Sequence, residues 1–403
     1  MRKFTILIGP NSSGKSTLLQ SILILKRTLT RPQQDQTNLI MKTDSVDLGE
    51  FKDIVTFGDT EKSISIHLVG SKKLEHGIEE GNEVLSTFGY KMEYDKLGIK
   101  EIYLAGHIDN VEYGFDWERY QKEKVYCRFK DRESLKLDES YLQGFHPRMR
   151  TSESDEVARR FNSIFSDGSY TRHLLEDFHY VPFFRVATKY GEILGRFSDD
   201  FLLNEPAHII RFLISNLSKD PKLLNAVSVL MEQLIGKSIQ ARPLDLPQTS
   251  VEQGITLDFI KKGFRNAITN EGTGPNQAIL LLSVLAGAKK GSVIAIDEPE
   301  IHLHPKGQTR LAKIMIEVGK SQDKQLIFAT HSEHMIYPFL NAIATKLLSP
   351  NEVAIYYFDS NESNNLSKVE PLPINEQGQL VGGLKGFWDA DLESFFELHG
   401  DKK

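Results

Sequence analysis

The sequence predicts an α/β fold, a parallel sheet covered by helices on both faces, joined to an antiparallel β region and an inserted helical lobe. Three observations predict it. A glycine-rich loop stands between a short apolar run at Phe4 to Ile8 and a helical apolar pattern; helical and strand signals alternate from Asn276 to Phe358; and short runs of period two, broken by Gly and Asp, occupy Ile40 to Phe129.

The apolar run Phe4 to Ile8 stops at Gly9, and helical spacing resumes from Ser16 through Leu18, Leu19, Ile22, Leu23 and Leu25. Pro32 and the polar stretch Gln33 to Asn38 close that helix. The alternating runs Ser63 to Val69, Lys100 to Leu104, Val111 to Trp117 and Lys124 to Phe129 read as hairpins of an antiparallel sheet. Helical spacing returns at Asp155 to Phe165, Tyr170 to Phe178, Ala207 to Leu217 and Leu223 to Ile235, with Pro221 separating the last two. Arg242 to Gln253, with Pro243 and Pro247, reads as a linker, and Ile255 to Ile260 as a strand. A helix at Asn276 to Ala288 follows, then the strand Val293 to Ile296, a helix at Lys306 to Val318, the strand Gln325 to Ala329, a helix at Glu333 to Leu340 and the strand Val353 to Phe358. The expected domains are 1–135, a helical lobe at 136–250, and 251–403.

Bulk composition narrows the function classes. Of 403 residues, 26% are charged and 40% hydrophobic, and the formal net charge of -6 gives no broad attraction to nucleic acid. A local basic groove stays open, with Lys26, Arg27, Arg31, Arg148, Arg150, Arg159 and Arg160 as candidate cations. Cys127 is the single cysteine, so intramolecular disulfides and thiolate clusters are excluded and a reducing compartment is expected. The best apolar run, Ala278 to Ala286, is about half the roughly 18 residues that a membrane helix needs. A glycine-rich segment interrupts the apolar start where a signal peptide would continue, so a cytoplasmic protein without a membrane partner is expected.

The chemistry concentrates in four segments. Gly9-Pro10-Asn11-Ser12-Ser13-Gly14-Lys15-Ser16-Thr17 matches a phosphate-binding loop and lies between strand and helix, as the mechanism requires. Glycines at 9 and 14 let the backbone wrap phosphates with its N–H groups beside a helix N-terminus; Lys15 is expected to reach the β- and γ-phosphates, and Ser16 to ligate Mg²⁺. Val293 to Ile296 ends in Asp297-Glu298, two acids whose side chains diverge, one suited to the Mg²⁺ shell and the other to polarising an attacking water. Gln325 to Ala329 ends in Thr330-His331-Ser332, which a core strand delivers to the ligand crevice. Glu271-Gly272-Thr273-Gly274-Pro275-Asn276 precedes an apolar helix, with Asn276 as its expected cap, and offers a second anion cradle. One nucleotide does not need two cradles, so the second is expected to close over the nucleotide of a partner subunit. His302 and His304 alternate on an extended segment, but two ligands without a cluster beside them make no zinc site.

Together these segments, with Asp297-Glu298-Pro299-Glu300-Ile301-His302-Leu303-His304-Pro305, resemble the ABC-type ATPases of the SMC, Rad50, RecF and OLD group, and in particular their short stand-alone members. The resemblance covers residues 1–60 and 250–360. It implies a P-loop NTPase with an ABC-type head, two heads sandwiching two ATP molecules in a homodimer or higher even oligomer. Lys15 and Ser16 would be the Walker A pair, Asp297 and Glu298 the Walker B pair with Glu298 as catalytic base, Gly272, Thr273 and Gly274 the signature turn acting in trans, Glu300 to Pro305 the D-loop at the dimer seam, and His331 the switch histidine. Two departures stand out: Thr273 lies between the glycines where the family has a serine before them, and Leu48 to Asp53 occupies the region of the Q-loop without a glutamine.

The resemblance further implies Mg²⁺-dependent ATP hydrolysis that opens and closes a dimer and so regulates a separate effector, a nuclease or toxin in a bacterial anti-phage complex. Long coiled coils are absent, and the residues after Phe358 are too few for a Toprim nuclease domain. The alternatives are a RecF-like ATP-dependent DNA-binding protein of repair and a non-hydrolysing scaffold held by ATP, the latter disfavoured by Glu298.

Overall fold

The computed structural model describes residues 1–30, 39–42, 46–74, 84–108, 111–118, 124–129, 135–137, 140–143, 146–149, 175, 177–183, 192–193, 221–243, 254–361 and 366–381. They form a mixed α/β architecture with a P-loop-type core and an antiparallel β subdomain. In chain order the elements are β1 (Phe4–Ile8), α1 (Lys15–Thr30), α2 (Phe51–Ile54), β2 (Ile64–Leu74), β3 (Val84–Asp95), β4 (Gly98–Ile108), β5 (Val111–Glu118), β6 (Lys124–Phe129), β7 (Leu135–Leu137), β8 (Ser140–Gln143), β9 (His146–Met149), β10 (Phe178–Val181), β11 (Glu192–Ile193), α3 (Pro221–Ile235), β12 (Ser238–Pro243), β13 (Gly254–Lys261), β14 (Phe264–Ala267), α4 (Thr273–Gly287), β15 (Val293–Asp297), α5 (Pro305–Ser321), β16 (Gln325–Ala329), α6 (Glu333–Ala344), β17 (Val353–Asn361) and β18 (Leu366–Leu372).

The chain divides into two compact units, one of Met1–Gln20 with Asp177–Lys403 and one of Ser21–Glu176. In the first, a six-stranded sheet has the order β10-β15-β16-β1-β17-β18. All neighbours in it are parallel except β17 and β18, which form an antiparallel pair. Strand β1 reads Phe4-Thr5-Ile6-Leu7-Ile8 and is buried throughout, the run expected of a central strand covered on both faces. Helices α5 and α6 supply the crossovers between β15, β16 and β17 and pack on each other. Phe339 of α6 meets Phe4 edge-on at 5.3 Å and Phe328 at 5.5 Å, which fixes that helix over the sheet.

Helix α4 buries every residue from Gln277 to Leu285, as a helix apolar on all sides must. Helix α3 instead carries a single buried stripe, Leu224, Val227, Met231 and Leu234, and packs on α4. A second sheet in this unit pairs β13 antiparallel with β11, β12 and β14.

The other unit is an antiparallel meander, β2 through β7 in sequence order. Its pairing runs in continuous register from Ile64↔Tyr94 to Leu74↔Val84, with an irregularity between Glu93 and Tyr94 where β3 meets β4. Ile66, Met92, Tyr94 and Ile102 are buried there, and the ring of Phe51 of α2 meets Tyr94 at a tilt, with centroids 5.8 Å apart.

Several expectations are corrected. Helix α4 begins at Thr273, so Gly272 is its N-cap; Asn276 lies inside the first turn and donates instead to the Glu271 carbonyl at 3.1 Å. The helical spacing read through Tyr170 to Phe178 overran a strand, because Phe178 opens β10; the rest of that segment, and the helices expected at Asp155 to Phe165 and Ala207 to Leu217, lie outside the described residues. The linker read at Arg242 to Gln253 starts in β12, and 244–253 lie outside the described residues. Lys26, offered as a phosphate-facing cation, is 5% exposed. Arg31, Arg150, Arg159 and Arg160 lie outside the described residues.

Candidate functional site

Strands β15, β16 and β1 are neighbours and parallel, so their C-terminal ends open side by side. Open α/β sheets bind ligands at that edge. The loops leaving these three strands are the segments singled out above: Gly9 to Gly14, Asp297 to Pro305, and Thr330 to Ser332. Backbone bonds lace them together. The Thr330 N–H donates to the Leu7 carbonyl at 3.0 Å, and the Glu298 N–H to the Ala329 carbonyl at 3.0 Å.

The loop after β1 needs its first glycine. Gly9 has φ +142°, and a Cβ there would stand 2.1 Å from the Phe358 carbonyl oxygen. Ser12 takes φ +60° at the exposed crown of the loop, beside exposed Pro10 and Asn11, while Ser13 is buried. Lys15, 5% exposed, folds its ammonium back to donate to the carbonyls of Gly9 at 3.0 Å and Pro10 at 2.6 Å and to Ser13 Oγ at 3.3 Å. Burial lowers its pKa, and the fields of Asp297, Glu298 and Glu300 work in the opposite direction. Lysine thus crosses the loop where an anion would be wrapped.

Ser16 Oγ donates to Asp297 Oδ1 at 2.9 Å, and Asp297 is 1% exposed. A hydroxyl and a carboxylate converging in this way fit Mg²⁺, which takes one or two protein oxygens and fills the rest of its octahedron with water and phosphate. No group of three or more His, Cys, Asp or Glu among the described residues makes a metal cluster. Thr17 is exposed on the outer face of α1.

Glu298 has φ +45° immediately before Pro299, a conformation that costs about 1–3 kcal/mol for a non-glycine residue and persists where its surroundings enforce it. His331 Nε2 lies 3.8 Å from Glu298 Oε1, and the two side chains are 33% and 35% exposed. Partial burial first, and the Lys15 ammonium second, hold the imidazole below the usual histidine range, with Asp297 opposing them. The structure therefore brings Lys15, Ser16, Asp297, Glu298 and His331 into one cluster.

The turn at Gly272, Thr273 and Gly274 is placed differently. Gly272 faces open space, whereas a Cβ on buried Gly274 would come 2.7 Å from the His302 carbonyl. Its second glycine is thus fixed by packing against the loop after β15 of the same chain, while Gly272 and Thr273 stay exposed at the N-terminus of a 15-residue helix. In that loop only part of Glu300 to Pro305 is at the surface: His302 and His304 are exposed, but Glu300 is 7% exposed and turned inward. The His304 ring accepts from the Lys306 N–H at 3.3 Å as the N-cap of α5.

Two contacts near the site escape the sequence reading. Tyr180 of β10 brings its phenol to 3.5 Å from both Asp297 Oδ2 and Gln20 Nε2. Glu300 Oε1 accepts from Thr330 Oγ1 at 2.6 Å and from the His331 N–H at 2.9 Å. Tyr180 belongs to no spaced motif, and Glu300, expected as the first residue of a loop at a dimer seam, is instead turned inward onto Thr330 and His331.

The comparisons with known proteins follow the same lines. The chain is 24% identical to the Retron Vc95 probable ATPase of Vibrio cholerae serotype O1 biovar El Tor, over 95% of this chain and 78% of that protein. It is 27% identical to the molybdate import ATP-binding protein MolC of Haemophilus influenzae, over 38% of this chain and 60% of that one. Among solved structures, an SMC head bound to the C-winged helix domain of ScpA has a TM-score of 0.47 at 14% identity, covering 92% of this chain and 90% of that one. The SMC head domain from Thermotoga maritima has a TM-score of 0.38 at 12% identity, with the same coverage. The family model described as "AAA domain, putative AbiEii toxin, Type IV TA system" matches residues 4–336, and the chain belongs to that family.

Proposed function

We propose that the chain binds ATP with Mg²⁺ and hydrolyses it, that ATP closes a dimer of two copies, and that this cycle regulates a separate effector, a nuclease or toxin, in a bacterial anti-phage complex. The observation that carries the first step is the delivery of Lys15, Ser16, Asp297, Glu298 and His331 to one sheet edge, with Ser16 and Asp297 2.9 Å apart. Bound Mg·ATP supplies a polarised γ-phosphoryl group. The backbone of 9–14 and Lys15 hold the phosphates; Ser16 and Asp297 hold the ion; Glu298 orients and takes a proton from the attacking water; neutral His331 donates toward the group in transfer. Of the turn Gly272-Thr273-Gly274, Gly272 and Thr273 are exposed at a helix N-terminus and are the residues proposed to meet the nucleotide of a second copy, with buried Gly274 holding the turn on the His302 carbonyl. The effector step is supported by the family's description, which names a toxin–antitoxin system, and by the likeness to a retron ATPase. Measured phosphate release tests the first step: wild type turns over ATP only with Mg²⁺, and Asp297→Asn abolishes that dependence together with activity.

A nucleic-acid role has one specific observation in its favour. At the tip of the β13–β14 hairpin, Phe264 is 82% exposed and lies among exposed Lys261, Lys262 and Arg265. An aromatic face between cations suits stacked bases and phosphates. Retention on single-stranded DNA that falls steeply with salt, and is lost in Phe264→Ala, would favour this reading.

A further inference from the structure

Between the acidic strand end and the histidine loop stands a group that the proposed cycle leaves without a task. Glu300 is 7% exposed, two residues beyond Glu298. Its Oε1 takes two hydrogen bonds, from Thr330 Oγ1 and from the His331 N–H, while Oε2 is buried with no hydrogen-bond partner among the described residues. An ordinary surface glutamate is not kept in this way; a buried carboxyl is retained where its acceptor geometry is needed.

The contacts define what it holds. The Glu298 N–H donates to the Ala329 carbonyl on one side of the Glu298–His331 pair, and Glu300 Oε1 accepts from the His331 N–H on the other, so two backbone N–H bonds bracket the carboxylate and the imidazole. Thr330 Oγ1, donating to Glu300, also accepts from the Ser332 N–H at 3.0 Å, and Ser332 Oγ donates to Gln308 Oε1 at 2.6 Å. Beyond Glu300, the same loop presents the His302 carbonyl to Gly274. One carboxyl therefore sits at the junction of the acidic loop and the histidine loop, and its loop continues to the first turn of α4.

We infer that Glu300 is a positioning residue for His331, its buried oxygen fixing the Thr330–His331 backbone so that the imidazole stands opposite Glu298. Burial pushes its pKa up, an effect that the donors Thr330 and His331 and the backbone N–H of Glu300 itself offset in part. What the site uses is an acceptor, so a glutamine that keeps Oε1 reproduces it, and a methionine of similar volume does not.

The inference rests on the hydrolytic reading, and two measurements on the full chain separate the two. In steady-state assays Glu300→Met lowers kcat by about 10²-fold, the scale of a reacting group misplaced by about 1 Å, with KM for ATP within about threefold, while Glu300→Gln stays within about threefold of wild type in both. Nuclear magnetic resonance of the His331 ring, without nucleotide, reports the position directly: its pKa stays depressed in wild type and Glu300→Gln and returns to the ordinary range in Glu300→Met as the ring leaves its half-buried place beside Lys15. Unchanged titration in Glu300→Met, or equal losses of kcat in the Gln and Met variants, overturns the inference. If wild type releases no more phosphate than Glu298→Gln, the hydrolytic reading fails, and the ring titration still decides the role of Glu300.

Discussion

Glu298 combines three properties that a surface acid does not: a left-handed backbone before a proline, a side chain one-third exposed, and an imidazole 3.8 Å away. A general base, the role proposed for Glu298, contributes about 10²–10⁴-fold. Glu298→Gln is therefore expected to lose at least about 10²-fold in kcat while still binding ATP with Mg²⁺, because Lys15, Ser16 and Asp297 are untouched. Equilibrium binding of a fluorescent ATP analogue beside phosphate release checks both halves. These residues were legible in the sequence because each sits at a junction that local pattern marks: an apolar run ending in glycine, in paired acids or in Thr-His-Ser. Tyr180 was not, and Glu300 was read only as the start of a loop at the dimer seam, not as a partner of the histidine loop. Their partners, Asp297 and His331, are brought to them by sheet pairing and loop packing, and neither residue type carries a spacing that announces the contact.

At the scale of single elements, α4 holds the clearest test. Gly272 and Gly274 look equivalent in the sequence, yet one faces open space and the other meets a backbone carbonyl that cannot swing away. Gly274→Ala should cost about 1–3 kcal/mol in urea unfolding, as overpacking does, whereas Gly272→Ala, an N-cap in open space, should cost less than about 1 kcal/mol and lower ATP turnover. The start of α4 was misread because Gly274 and Pro275 look like breakers; in the first turn a proline lacks only an N–H that has no helical acceptor, so the helix begins before it. Strand β10 was missed because its first residue, Phe178, was read as the end of a helical run and the next three were not assigned.

The other end of α4 is held by Lys324, fully buried, whose ammonium donates to the Leu285 carbonyl at 2.6 Å. Burial lowers its pKa to about 8, below the ~10.4 of an unfolded chain. Between those values the unfolded chain holds a proton that the folded chain has released. Stability therefore rises with pH across the window, by on the order of 1 kcal/mol per pH unit relative to Lys324→Met. Urea unfolding of both proteins at pH 7.5 and 9.5 measures this, and a constant difference between them would contradict it.

For the whole molecule, the two units were legible to different depths. The antiparallel unit follows from alternating runs, which lie on β2, β4, β5 and β6, while β3 and β7 between and after them were not named in the sequence reading. The order β10-β15-β16-β1-β17-β18 was not readable, because a central strand from the N-terminus pairs with strands more than 300 residues away, and nothing local encodes that choice. Yet that order is what makes a site out of separated motifs. The exposed turn at Gly272 and Thr273 is the part that the proposal assigns to the nucleotide of a second copy. The most direct test is the native mass of Glu298→Gln with and without ATP and Mg²⁺. Doubling on addition of Mg·ATP, reversed by its removal, is the predicted result; a chain that binds ATP and stays at the mass of one copy would contradict it.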